Sequence, residues 1–151
     1  MADFGGAELD AFRAEARDWL TANFPASLAK DMDGQSAAAQ SPAKPTGDFA
    51  VWKERMGEKG WGTPTWPQAY GGGGLTSAEA RVLAEEMGRA GAVNPIGGMG
   101  VGMFGPTLLE YGNEDQKHRH IPAIVKAEQR WCQGFSEPGA GSDLAGLQTK
   151  A

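Results

Sequence analysis

Trp131-Cys-Gln-Gly-Phe-Ser-Glu-Pro-Gly-Ala-Gly-Ser-Asp-Leu-Ala-Gly-Leu-Gln-Thr-Lys150 is the stretch on which the fold turns. Its first part alternates, with Trp131, Gln133 and Phe135 against Cys132, Gly134 and Ser136, and so has the two-residue period of a strand. Pro138 then sets a turn. Glycines at 139 and 141 leave Gly141 and Ser142 free to offer backbone N–H groups and a hydroxyl, a concavity suited to a phosphate or pyrophosphate oxygen. Taken alone, a Gly-Ala-Gly-Ser turn reads first as an ordinary surface turn. A second strand is expected from Leu147.

Upstream the period changes to that of helices. Leu9, Phe12, Ala16, Trp19 and Leu20 form one apolar stripe, which predicts a helix over Gly6–Asn23 that stops at Pro25. Residues 26–47 are rich in Ala, Ser, Gln, Pro and Asp and read as a mobile surface excursion. Asp48 is the expected N-cap of a second helix burying Phe49, Trp52 and Met56, with Gly60 ending it. The Trp61–Gly74 loop excludes a regular helix through its prolines and glycines. Its Trp61, Trp66 and Tyr70 require an apolar surface to rest on. Thr76 and Glu79 spell a capping box for a third helix, which Gly91 closes. Pro95–Tyr111 is uncharged before Glu110, as befits a helix buried all round or one lining a ligand cavity. Asn113 and Gln116 open the next helix, and Pro122 is expected to divide it from a short last turn holding Ile124 and Val125.

Composition narrows the classes. The chain has 151 residues, 40% hydrophobic and 22% charged, within the globular range. Glycine, 23 of 151, runs at roughly double its usual share without a triplet period, so collagen is excluded. Fourteen basic and nineteen acidic side chains give a net charge of -5. With no basic run, there is no electrostatic footprint for nucleic acid or an anionic membrane. No stretch approaches the ~20 apolar residues of a membrane span. The acidic N-terminus has no secretory pattern, so a cytoplasmic location is expected. Four or five helices followed by two unpartnered strands lead to the expectation that this is the front part of a longer protein.

The whole 131–150 string resembles the flavin-binding signature of the acyl-CoA dehydrogenase family. Gly60-Trp-Gly, Tyr70-Gly-Gly-Gly-Gly, Glu85-Glu86-Met87, Tyr111-Gly-Asn-Glu-Asp-Gln-Lys117 and Ile121-Pro122 stand in that family's order. The resemblance implies a mainly α fold: an N-terminal helical domain over 1–129, then the first strands of an incomplete middle β domain over 130–151. It implies FAD as cofactor and an acyl-CoA substrate, dehydrogenated between its α and β carbons to the trans-2-enoyl-CoA. A carboxylate base takes the α-proton and the flavin takes the β-hydride. It further implies an electron-transfer flavoprotein as redox partner and a homo-oligomer, dimer or tetramer, for the full-length protein. Carried over by position, Gln133, Phe135 and Ser136 would pass the isoalloxazine, while Gly141 and Ser142 would meet the pyrophosphate. Ser142 would also approach the acyl-CoA. Relatives often carry an aromatic residue in place of Gln133 and Thr in place of Ser136. The first departure puts a Gln133 side-chain contact in doubt, and the second keeps the hydroxyl.

The family's catalytic glutamate lies beyond residue 151, and none of the eleven glutamates here matches it, so no catalytic residue is assigned. Gly100 and Met103 are the expected substrate-pocket residues, because glycines on a buried helix would leave a void for a bulky, branched, cyclic or dicarboxylic acyl chain. The remaining candidates read as structural. Gly71–Gly74 is no P-loop and reads as a flexible loop. His118 and His120 point different ways and are not expected to bind metal. Cys132 reads as a buried inert thiol. Glu85 and Glu86 read as a solvated helix surface, and Glu137 as a backbone or salt-bridge anchor. Two other functions fit the residues: an acyl-CoA oxidase or related flavoprotein of the same fold, and a non-catalytic helical interaction subunit.

Overall fold

The structure, a computed structural model, describes residues 6–150. The first five residues, part of the N-terminus read above for a leader, and Ala151 lie outside them. Helices dominate: α1 (Gly6–Asn23), α2 (Met32–Gln40), α3 (Gly47–Lys59), α4 (Ser77–Ala90), α5 (Gly105–Tyr111) and α6 (Glu114–Val125). Short 3₁₀ turns and one π turn link them.

α1 and α4 pack against each other, and α3 adds its apolar face to the same main core. The sequence stripe predicts this: Phe12, Ala16 and Leu20 of α1 meet Phe49, Trp52 and Met56 of α3 and Val82, Leu83 and Met87 of α4. Trp52 is wholly buried and donates from Nε1 to Val93 O at 2.9 Å, so its one polar atom is satisfied. Around it, Trp19 lies 4.9 Å from Trp61 and 5.8 Å from Trp52, and Phe24 meets Trp52 edge-on at 5.0 Å. A second, smaller core gathers Ile121, Ile124 and Val125 of α6 with Trp66, Phe104, Leu108 and Trp131. The Trp61–Gly74 loop joins the two, with Trp61 in the first and Trp66 and Tyr70 against the second.

The local punctuation stands where expected. Thr76 with Glu79 and Asn113 with Gln116 both form capping boxes, and Gly60 and Gly91 close their helices in the left-handed conformation.

Several expectations are corrected. Residues 26–47 are not a loose excursion: they fold into a 3₁₀ turn (Ala26–Leu28) and α2. Their anchor is Gln35, 2% exposed, whose Nε2 donates to Leu28 O and Gly91 O, both at 2.8 Å. Its Oε1 accepts from Val93 N at 2.9 Å. Thr46, not Asp48, is the N-cap of α3, and Asp48 instead accepts from Ser27 Oγ. Pro122 does not divide α6. The helix runs through it, because the last turn is held by Ile121, Ile124 and Val125 in the second core. Pro95–Tyr111 is not buried all round, since Met99, Met103 and Tyr111 are exposed. Gly72 and Gly73 are buried in a folded-back loop, with Gly73 N bonded to Thr63 O at 3.2 Å. A Cβ on Gly72 would fall 2.4 Å from Trp66 O, so only glycine fits there.

Glu86 is the largest departure. It is 2% exposed and accepts from Arg13 Nη1 at 2.8 Å, from Arg17 Nε at 3.1 Å and from Arg89 of its own helix. Hydrogen bonding from Arg17, with help from Arg13 and the Arg89 charge, outweighs burial and lowers its carboxyl to about 2. This triple clamp fastens α1 to α4. Glu85, by contrast, is exposed as expected.

Candidate functional site

The 131–150 stretch begins on the second core. Trp131 stacks on Phe104 with ring centroids 3.7 Å apart and planes 24° from parallel, and His120 closes edge-on at 5.6 Å. Phe104 ends a π turn, Gly100–Phe104, in which Gly105 N reaches back five residues to Gly100 O. Such wide turns recur at functional sites. Gly100 is buried under Trp131: a Cβ there would lie 2.7 Å from Trp131 Cδ1. Its small size therefore admits the indole rather than leaving a void, which corrects the reason for which Gly100 was singled out. The nearby Gly97, Gly98 and Gly102 do border open space, and Met103 is 50% exposed.

Beyond Trp131 the chain forms no helix or strand before the 3₁₀ turn Leu144–Gly146. The alternation of 131–136 and the stretch from Leu147 do not become strands. Among the described residues no segment ladders with them, and the one bridge there joins Glu137 to Ala140. Period-two patterning specifies two faces, but a strand also needs a partner for its backbone groups. The predicted cofactor residues lie along this segment. Gln133, Phe135, Ser136, Gly141 and Ser142 are all exposed, Phe135 to 84%. Cys132 is exposed too, not the buried thiol expected.

The turn after them is fixed. The Glu137 carboxylate accepts from Gln148 N at 3.0 Å, Thr149 N at 2.7 Å and the Thr149 hydroxyl. The Thr149 hydroxyl, followed by the two amides, holds this carboxyl below its ordinary range. Ala140 N bonds to Glu137 O at 3.0 Å and Ala140 is buried, so the turn closes under Gly141 and Ser142. A Cβ on Gly141 would meet nothing within 4 Å. Bare amides, two free hydroxyls and an uncovered aromatic ring thus share one short ribbon pinned at Trp131 and at Glu137.

Residues 6–128 match the family Acyl-CoA dehydrogenase, N-terminal domain. The chain belongs to the acyl-CoA dehydrogenase family. It is 36% identical over 146 residues to acyl-CoA dehydrogenase IpdE1 of Mycolicibacterium smegmatis, covering 95% of this chain and 36% of that protein. It is 37% identical over 97 residues to acyl-CoA dehydrogenase FadE26 of Mycobacterium tuberculosis, covering 64% of this chain and 24% of that one. The solved Tcur3481-Tcur3483 steroid ACAD superposes with a TM-score of 0.60 at 34% identity, over 95% of this chain and 35% of its own. The chain thus spans about a third of the length of such relatives, and the helical fold agrees with the family's N-terminal domain.

The acyl-CoA dehydrogenase family is generally flavin-dependent, and the ribbon's chemistry fits a flavin dinucleotide. Ser136 can bond a ring edge, Phe135 can lie against a ring, and Gly141 can admit a pyrophosphate close to its amide. Sequence reasoning missed one positioning residue here, Trp131, which fixes where the ribbon starts. Glu137, read as a backbone or salt-bridge anchor, fixes the turn through three bonds to residues 148 and 149. The stacking of Trp131 depends on Phe104 and His120 from other elements, which no local pattern reports. No group of three or more His, Cys, Asp or Glu among the described residues could hold a metal ion. No helix among them is long and apolar enough to cross a membrane.

Proposed function

We propose that this chain supplies the N-terminal helical domain (1–129) and the opening of the middle β domain (130–151) of an FAD-dependent acyl-CoA dehydrogenase. The reaction is α,β-dehydrogenation of an acyl-CoA thioester to its trans-2-enoyl-CoA. One observation carries the reading: Gln133, Phe135, Ser136, Gly141 and Ser142 are all uncovered, on a ribbon anchored at Trp131 and Glu137. Bound FAD supplies the two-electron acceptor for the reaction.

The chain's own residues do the rest of what this domain contributes. Ser136 orients the ring system by a hydrogen bond, and Phe135 and the Gln133 backbone shield its edge from water. Gly141 and Ser142 hold the pyrophosphate, and Ser142 also borders the acyl-CoA. Gly100 shapes the acyl wall by seating Trp131, and Met103 lies along the acyl chain. The α-proton goes to a carboxylate outside residues 1–151. Electrons leave to an electron-transfer flavoprotein, and the working unit is a homodimer or homotetramer.

A bulky, ring-bearing acyl group is the favoured substrate class. The name of the solved steroid ACAD supports it, as do the open space over Gly97, Gly98 and Gly102 and the exposed Met99 and Met103. The full-length protein should purify yellow, with visible flavin absorbance. Ser136→Ala should loosen FAD roughly tenfold, the worth of one hydrogen bond of about 1.4 kcal/mol. Gly102→Leu should lower kcat/KM on ring-bearing thioesters while sparing butyryl-CoA. A colourless protein that cannot be reconstituted with FAD would sink the proposal.

A further inference from the structure

A cavity of about 300 Å³ lies between the end of α2, α3, the Gly97–Gly100 segment and the chain leaving α6. Two charged residues line it, Lys53 and Arg130, and both are cations; no carboxylate does. Lys53 is half-buried and, among the described residues, forms no salt bridge. Arg130 donates to Gln40 O at 3.3 Å and to Ser41 O, two neutral carbonyls that fix the guanidinium and leave its charge unmatched. Trp131 lines the same cavity, and its Nε1 is shielded from solvent without a hydrogen-bond partner. The hollow therefore brings two cations and an unpartnered N–H together with no anion in its lining.

The neighbouring hollow shows that this is not a general excess of surface lysines. Lys53 and Arg130 also border it, together with Lys44 and Lys126, but there Glu54, Glu58 and Glu128 share the lining, none of them in a salt bridge with Lys53 or Arg130 among the described residues. Only the smaller cavity is acid-free. Burial, and secondarily the Arg130 charge, push the Lys53 amine below its ordinary range. An anion in the cavity offsets both, because its charge favours the ammonium form. Placing two cations side by side without a counterion costs stability, and a bound oxyanion offsets that cost with charge-assisted hydrogen bonds.

We propose that this cavity binds the oxyanion of a small molecule, a carboxylate or a phosphate, between the Lys53 ammonium and the Arg130 guanidinium. The source is either a second acidic group on the acyl part of the substrate or a phosphate of its CoA part, so the choice of source rests on the function proposed above. The binding itself does not.

The test is calorimetric titration of the full-length protein with glutarate and, separately, with inorganic phosphate at low salt. Saturable binding of either probe is expected. Tighter glutarate binding assigns the site to an acyl carboxylate, and tighter phosphate binding to the CoA part. Lys53→Met and Arg130→Met should each weaken binding at least about tenfold, as loss of a charge-assisted bond does. Lys53→Arg and Lys44→Met should leave it nearly unchanged, the latter because Lys44 borders only the balanced hollow. Melting curves identify any variant that fails to fold, in which case Lys53→Gln takes its place. No binding of either probe by the parent protein overturns the site, and so does equal weakening by Lys44→Met and Lys53→Met. A yellow protein that ignores both probes sinks this inference alone; a colourless one that binds them sinks the flavin reading alone.

Discussion

Trp52 and Phe135 are both large aromatic residues, and the molecule treats them in opposite ways. Trp52 has no exposed surface and its one polar atom is bonded to Val93 O. Phe135 is 84% exposed on a ribbon with no ladder partner. Around Trp52, side chains from α1, α3 and α4 satisfy one another. Around Phe135, the chain has invested only in its two anchors, Trp131 and Glu137. The first region is a scaffold complete in itself. The second presents its groups to something else, which is how a surface built for a ligand or a further layer differs from a core.

The contrast can be broken first at its buried end. Trp52→Ala should cost about 3–5 kcal/mol in denaturant unfolding, the usual loss for deleting a buried aromatic ring. A cost below about 1 kcal/mol would mean that the α1–α3–α4 core is not the stabilising unit. Gln35→Ala comes next, at about 2–3 kcal/mol, because it strands the Leu28 and Gly91 carbonyls and the Val93 amide. Hydrogen exchange should show α2 losing protection before the rest.

Glu86→Gln should cost about 2 kcal/mol, less than a fully buried ion pair because Arg17 and Arg89 keep water on one side. The pH dependence has a definite sign. The folded carboxyl is depressed to about 2 from an ordinary 4.5, so its contribution is whole above 4.5 and fades as pH falls towards 2. Stability measured across that window should slope more steeply in the parent than in the variant, the remaining slope coming from other lowered carboxyls such as Glu137. At the exposed end, Phe135→Ala should change stability by less than about 0.5 kcal/mol. If it destabilised the fold as Trp52→Ala does, the two regions would not differ in the way described.

What the sequence made legible was local. Thr76 with Glu79, Asn113 with Gln116, and the glycines at 60 and 91 act within one helical turn, and each stands where its residue type places it. The α1 stripe was equally readable, since its period alone identifies the buried face. Gln35 and Glu86 were not, because what makes each of them structural lies 56 to 73 residues away. A polar residue is read as solvated until its distant partners are known. The strand from Trp131 failed for the same reason: its alternation was visible, but pairing depends on another segment. At Gly100 the residue was noticed and its cause was not, since only the placed Trp131 ring shows why a side chain is excluded.

The five-residue reach from Gly105 N to Gly100 O has a consequence for everything downstream of it. One residue more than an α turn resets the angular phase of the helix by about 100°. Val101 and Phe104 face inward on one side of that reset, and Leu108 takes up the stripe on the other. Deleting a single residue there would rewind α5 by more than a quarter circle, swinging Leu108 and Leu109 away from α6. Insertions and deletions should therefore be far less tolerated in this short run than in the solvent-facing linkers on either side of α2.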